Sequence, residues 1–317
     1  MKIFVKTKPS YTIKIEKGLI KENGLPRGFI ITDSNVYEIY KSLIKDDFFC
    51  IKSGEQSKDI DVYKEILEKI RDNDTIIAFG GGVVGDIAGF VASTYKRGVK
   101  LIHIPTTLLA MVDSSIGGKN GVNLGEKKNY IGTIYQPFEV IIDPLFLETL
   151  QEKEWQNGLS EVIKYSYLFG KPDIKKISLK IDSKELDKVI FDCCKSKAEV
   201  VEKDPFDSGY RHVLNFGHTI GHAIELLSGL NHGEAISIGM AKELELAVKR
   251  GITNKKDSEI IINRLKSVGL PTSIPENLDK NKIIEIMKAD KKGKFIFALN
   301  KERYSVKLSE EEVRSIL

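Results

Sequence analysis

Short apolar, β-branched runs and longer helical periods alternate through the first half of the chain. Runs at Lys2–Lys6, Tyr11–Ile15, Gly28–Thr32, Phe48–Lys52, Thr75–Phe79, Lys100–Ile104 and Glu139–Ile142 read as strands. Between several of them the period becomes helical, as in Asp61–Arg71, which is apolar at Val62, Ile66, Leu67 and Ile70. Strands alternating with helices predict a mainly parallel sheet covered by helices, which binds ligands at the carboxyl ends of its strands. From about Leu147 onward the pattern is helical, with almost no strand signal before Lys294–Leu299. The expected fold class is an α/β domain over residues 1–146 followed by a mostly α-helical domain over residues 147–317, with a cleft between them.

Composition narrows the class without naming a chemistry. A chain of 317 residues, 41% hydrophobic and 30% charged, has room for two globular domains. Its 49 basic and 45 acidic residues leave a formal charge of +4, too balanced to argue for nucleic acid. Three cysteines, Cys193 and Cys194 adjacent and Cys50 distant, suggest no disulfide framework. The first residues hold no long apolar segment and no run approaches membrane-spanning length, so a cytoplasmic protein is expected.

Histidine density is the first chemical signal. Three of the chain's five histidines lie in Arg211–Glu225, and a fourth, His232, follows ten residues after His222 where a new apolar helix starts. If the chain is helical from about Leu214, His218 and His222 share a face about 5–6 Å apart at Cβ, within reach of one ion, and Asn215 and Arg211 extend that face. Paired histidines on a helix are more often surface or core residues than ligands. Here the clustering, together with Gly217, Gly221 and Ala223, which let another backbone approach, favours a site. A protease-type zinc helix needs Glu after the first histidine, and Thr219 stands there. His103, inside an apolar strand, reads as structural, and His212 as solvent-facing or packing.

Glycines and lysines supply the second signal. Gly80–Gly82 follow an apolar strand and open a helix at Asp86–Tyr95, so backbone N–H groups can approach a phosphate. Alone this is weak: Arg97 and Lys100 stand where a ribose-binding acid is expected in the usual dinucleotide fingerprint. Beyond the next strand, Pro105–Lys119, Asn120–Asn123 and Lys127–Gly132 combine hydroxyls, glycines, an acid and three lysines, the composition of a phosphate- and polyol-binding loop. In the helical half, Glu161 and Lys164 lie three apart on an apolar helix; a carboxylate beside two imidazoles suits a catalytic zinc with an open position.

In this order the segments Gly80–Asp86, Pro105–Lys119, Gly158–Tyr165, Arg211–Glu225 and His232–Ala235 closely resemble the 3-dehydroquinate synthases among the sugar-phosphate cyclases, from about residue 55 to 240 and again at Asp290-Lys291-Lys292. The resemblance implies a Rossmann-like NAD-binding domain followed by a metal- and substrate-binding domain. It also implies one zinc or cobalt ion per subunit and a homodimer acting on a sugar phosphate, with no nucleic acid or membrane partner. The implied reaction, in the shikimate pathway of aromatic amino acid biosynthesis, turns 3-deoxy-D-arabino-heptulosonate 7-phosphate into 3-dehydroquinate and phosphate by transient oxidation, elimination, re-reduction and aldol closure.

By the same resemblance the metal ligands are Glu161, His218 and His232, with His222 handling protons. This overrules the His218–His222 pair that spacing alone suggests. NAD contacts fall on Asp33, Asn35, Glu55, Lys58, Gly81, Gly82, Asp86, Thr106, Thr107, Asp113, Lys128 and Thr149. Substrate contacts fall on Asp113, Lys119, Asn129, Lys164, Lys197, Arg211, Asn215, His222 and one of Lys291 or Lys292, and Arg97 reaches the neighbouring subunit's site. The chain departs from the family's Asp-Glu-Arg-Glu before the arginine, reading Asp204-Pro205-Phe206-Asp207. From the residues themselves, a metal-dependent NAD polyol dehydrogenase is the alternative function and a non-catalytic nucleotide-binding module a third.

Overall fold

A computed structural model describes residues 1–125, 127–290 and 294–317. The chain forms two compact units, Met1–Gln151 with Leu186–Phe206, and Glu152–Glu185 with Asp207–Leu317.

The first unit carries strands β1 (Lys2–Val5), β2 (Tyr11–Ile15), β3 (Phe29–Asp33), β4 (Phe48–Ile51), β5 (Thr75–Gly80), β6 (Lys100–Pro105), β7 (Lys119–Leu124), β8 (Lys127–Ile134) and β9 (Glu139–Ile142), with helices α1 (Leu19–Asn23), α2 (Ser34–Tyr40), α3 (Ile60–Lys69) and α4 (Gly82–Thr94). Seven strands form one sheet in the order β1-β2-β9-β6-β5-β3-β4, parallel except for β1 against β2. The central strands β3, β5 and β6 are buried nearly end to end, which is why their sequence reads as continuous apolar runs rather than alternation. Ile31, Ile76, Ala78 and Leu101 pack against Val84, Ile87, Ala88 and Val91 of α4 in one hydrophobic core.

Strand order fixes where this unit can bind. The β3-to-β4 connection runs to one side and the β5-to-β6 connection to the other, so direction reverses between the neighbours β3 and β5. At such a point the loops after adjacent carboxyl ends diverge and leave a crevice for a ligand.

The second unit contains α5 (Glu152–Phe169), the start of α6 (Ser183–Lys203), α7 (His218–Ser228), α8 (His232–Lys249), α9 (Lys255–Ser267), α10 (Lys280–Asp290) and α11 (Glu310–Arg314), with a small hairpin of β10 (Phe295–Phe297) and β11 (Val306–Leu308). Ile220, Ile224, Ile238, Leu246, Ile283, Phe297 and Val313 make its core. Residues 157–166 of α5 are buried all round, so the polar residues on that stretch are enclosed by protein.

Several expectations are corrected. The stretch expected as a binding loop after residue 119 is a β-hairpin, β7 with β8; its glycines and polar residues hid the strand period. The β11 strand gave too short a signal to be read. A single cut at residue 146 does not describe the units, because Leu186–Phe206 clusters with the first one. Cys194 and Lys197 there contact the Met111 and Asp113 carbonyls. Helix α4 begins at Gly82 rather than Asp86, and α7 begins at His218 rather than Leu214. Gly217 takes φ 81°, a left-handed conformation that ends the 3-10 turn Tyr210–Asn215, so Arg211 and Asn215 are not on the α7 face. Among the described residues no helix is long and apolar enough to cross a membrane.

Candidate metal centre and nucleotide-binding edge

In the second unit three chain-distant side chains converge. One donor atom from each of Glu161, His218 and His232 lies within 4.8 Å of the others. Both histidine Nε2 atoms face Glu161 Oε1, at 3.6 Å from His218 and 3.5 Å from His232. Each is the first residue of its helix, and local chemistry explains why. Gly217 starts α7, whereas Asn231 caps α8 through a capping box with Glu234. Close approach of the two helices holds the pair: a Cβ on Gly239 would sit 1.9 Å from the Gly217 carbonyl oxygen. Asn157, one turn before Glu161, accepts the Gly233 N–H at 2.7 Å and ties α8 to α5 beside His232.

Electrostatics suit a cation. His218 Nδ1 sits 3.0 Å from the Phe216 carbonyl and His232 Nδ1 3.3 Å from Glu225, so in each ring the outer nitrogen is engaged and Nε2 turns toward Glu161. Burial, then the Lys164 charge and the two neighbouring imidazoles, hold His218 well below the usual histidine range. Burial also disfavours the His232 cation, but the Glu161 and Glu225 carboxylates outweigh it and raise this group to about 9. Lys164 pairs with Glu161 and donates to the Leu214 carbonyl at 3.0 Å. One carboxylate and two imidazoles match the donor set of a three-ligand catalytic zinc, so the residues fit a divalent ion.

His222 is exposed, its ring 5.2 Å from that of His218 and 6.3 Å from that of His232. It lies beside the cluster and outside the converging set, so the histidine that meets His218 at Glu161 is His232 and not the one four residues on. Arg211 is buried and Asn215 half-buried in the 3-10 turn before α7. Lys291 and Lys292 lie outside the described residues. Glu225 and Asn157 were missed; both fall inside or next to quoted stretches, and only their partners distinguish them.

In the first unit the expected nucleotide contacts gather at the carboxyl ends of the parallel strands. Asp33 closes β3, where it accepts the Asn35 and Val36 N–H groups and caps α2; burial raises its carboxyl. Glu55 and Lys58 follow β4. Gly81 and Gly82 follow β5, where a Cβ on Gly80 would meet Val84 at 2.6 Å, so the strand-to-helix turn admits no side chain. Gly81 caps α4 with no side-chain acceptor. Thr106 and Thr107 follow β6, and Thr149 bonds Tyr40 at 2.6 Å.

Lys58, nearly buried, binds Asp86 at 2.9 Å and Glu55 at 3.3 Å. Burial lowers the lysine, but these carboxylates outweigh it and raise it; burial also raises Asp86 despite Lys58. Asp113 stands in a π-helical turn, Ala110–Ser114, and binds Lys197 at 2.9 Å. Lys197 was expected in the helical domain and belongs to this unit. Lys119 on β7 and Lys128 and Asn129 on β8 are exposed. Arg97 is exposed at φ 65°.

Family comparison agrees with both halves. The 3-dehydroquinate synthase N-terminal profile matches residues 48–157 and the C-terminal profile residues 158–293. A 3-dehydroquinate synthase of Desulforamulus reducens is 42% identical, over 92% of this chain and 90% of its own. That of Clostridium acetobutylicum is 44% identical, over 90% and 89%. Among solved structures, a 2-deoxy-scyllo-inosose synthase complexed with carbaglucose-6-phosphate, NAD+ and Co2+ superposes with a TM-score of 0.87 at 22% identity, over 100% of this chain and 99% of its own. The 2-epi-5-epi-valiolone synthase of Streptomyces hygroscopicus, with NAD+ and Zn2+ bound, gives 0.84 at 23%, over 96% and 95%. At those identities the structures speak for the fold, and the sequence matches carry the assignment: the chain belongs to the 3-dehydroquinate synthase family.

Proposed function

We propose that this enzyme converts 3-deoxy-D-arabino-heptulosonate 7-phosphate into 3-dehydroquinate and phosphate. The observation that carries the reading is the convergence of Glu161, His218 and His232 in a chain that matches both halves of the family. A divalent ion, zinc or cobalt, would be held by these three residues and would polarise a substrate hydroxyl. NAD, held by the first unit, would supply a hydride acceptor regenerated in each cycle.

The chain's own groups do the rest. Asp33, Asn35, Glu55, Lys58, Gly81, Gly82, Asp86, Thr106, Thr107, Asp113, Lys128 and Thr149 bind NAD; the open start of α4 suits its pyrophosphate. In the second unit Arg211, Asn215 and Lys164 bind the acid and hydroxyl groups of the substrate. An acid taken out of water needs such fixed partners, which favours a carboxylated substrate over sugar phosphates that lack the carboxylate. In the first unit Lys119, Asn129 and Lys197 bind its remaining polar groups, with Asp113 steadying Lys197. The imidazole of His222, exposed beside the metal ligands, moves the proton, since an imidazole can accept a proton at one ring nitrogen and donate from the other. Arg97, held out in left-handed backbone, contributes to the site of a second copy, so the working form is a homodimer. The location is the cytosol.

The test is an assay of purified protein with the sugar phosphate, NAD and zinc. One phosphate per substrate should be released at catalytic NAD, without lasting NADH absorbance. Accumulating NADH would replace this reading with a polyol dehydrogenase, and silence in both channels with a nucleotide-binding module.

A further inference from the structure

Strand β7 does not pair evenly with β8. The register slips between Val122 and Leu124, and at the slip Asn123 bridges to Asp59, at the start of α3. Asn123 is 8% exposed and is engaged in three directions. Its N–H donates to the Lys58 carbonyl at 2.7 Å. Its Nδ2 donates to Glu55 Oε1 at 3.1 Å. Its Oδ1 accepts the Asn129 N–H at 2.8 Å.

A primary amide donates and accepts at once, which neither a carboxylate nor an aliphatic side chain of that size can do. Asn129 itself sits at φ 52°, a conformation a side-chain-bearing residue holds at some cost, and the bond from Asn123 helps to fix it. Two groups with different proposed ligands therefore meet at one buried amide: Glu55 and Lys58 for NAD, and Asn129 for the substrate. The amide makes no use of its own for either ligand; it acts through the residues it holds.

We propose that Asn123 is a positioning residue that couples NAD binding to sugar-phosphate binding. NAD seated on the Glu55–Lys58 turn fixes Glu55, Glu55 fixes the amide, and the amide fixes the backbone of Asn129. The coupling runs equally in the other direction, as binding linkage requires. This inference rests on the proposed assignment of those residues to NAD and substrate.

The experiment measures KM for NAD at low and at saturating sugar phosphate, by phosphate release from the zinc-loaded full-length enzyme. In the wild type, saturating sugar phosphate lowers KM for NAD at least about fivefold, the lower end of ordinary coupling. Asn123→Ala brings that ratio to about one and raises both KM values about tenfold, with kcat changed less.

Asn123→Asp keeps the acceptor for Asn129 but sets a second carboxylate against Glu55, so it also flattens the ratio. Adding Glu55→Gln supplies a donor across the reversed pair and restores the ratio, a rescue that loss of packing alone would not show. If Asn123→Ala fails to fold, the aspartate variant and its rescue decide the matter. A wild-type ratio of one, or a wild-type ratio retained in either folded single variant, overturns the proposal. A wild type that needs no NAD or releases no phosphate overturns instead the function on which it rests, a separate and visible result.

Discussion

Removing the Asn157 side chain should weaken the proposed metal centre without touching Glu161, His218 or His232. Asn157 Oδ1 accepts the Gly233 N–H at 2.7 Å, and Asn157 is 8% exposed. Gly233 follows His232 directly, and Asn157 precedes Glu161 by one turn of α5, so this bond sets the spacing between two donors of the cluster. Asn157→Ala leaves a buried amide N–H without its partner, which costs about 1–3 kcal/mol. The first turn of α8 then frays more easily. If binding must re-form it, the same energy is taken from metal affinity, a loss of roughly 5–150-fold.

The assay is zinc competition against a chromophoric chelator, with melting of the metal-free protein measured in parallel. Ser160→Ala is the control: Ser160 is also buried and donates to the Asn157 carbonyl at 2.8 Å, within α5 alone. It should lower stability by a similar amount and leave zinc affinity near the wild-type value. Gly233→Ala should copy Asn157→Ala, since a Cβ there would lie 2.6 Å from the Asn157 Cα. A zinc affinity unchanged in a destabilised Asn157→Ala protein would refute the link between this bond and the ligand spacing.

Three further outcomes are expected. His218→Ala and Glu161→Gln should lose metal and activity together, whereas His222→Ala should keep metal and lose turnover; elemental analysis beside the phosphate assay decides, and metal loss in His222→Ala equal to that in His218→Ala would reverse the ligand assignment. His103, buried in β6, is pushed from 6.5 down to about 4 by burial, so its contribution is intact above pH 6.5 and is lost as pH falls toward 4. That difference is worth about 3 kcal/mol, and the unfolding free energies of wild type and His103→Gln, from urea titrations between pH 7 and 4, should diverge by it, with parallel curves refuting the assignment. Ser237, fully buried on α8, has a hydroxyl with no hydrogen-bond partner among the described residues, so Ser237→Ala should leave the melting temperature unchanged or raise it; a marked fall would reveal a partner.

Much of this protein is written locally. Ile-rich runs of five or six residues declare the parallel strands because burial on both faces demands apolar residues at every position. Capping chemistry at Asn231 and the glycines after β5 likewise act within a few residues, and the order of the five motif segments sufficed to suggest the family. The hairpin β7–β8 escaped because its pairing slips at Asn123 and each strand carries one glycine among polar residues, Gly121 and Gly132, which blurs a period of two. The start of α7 escaped because a left-handed glycine interrupts a stretch whose side chains otherwise suit a helix.

Sequence alone determined the alternation of elements, the list of chemically capable residues and their likeness to one family. Tertiary structure decided which of them meet. Two histidines one helical turn apart are neighbours by geometry, yet the carboxylate that His218 faces comes from α5 and the second imidazole from α8, and only packing of the three helices brings those atoms within 4.8 Å. The same holds for Lys197 with Asp113, and for Asn123 with Glu55: a hydrogen bond depends on separation in space, which the chain's order does not encode until side chains of several elements have packed.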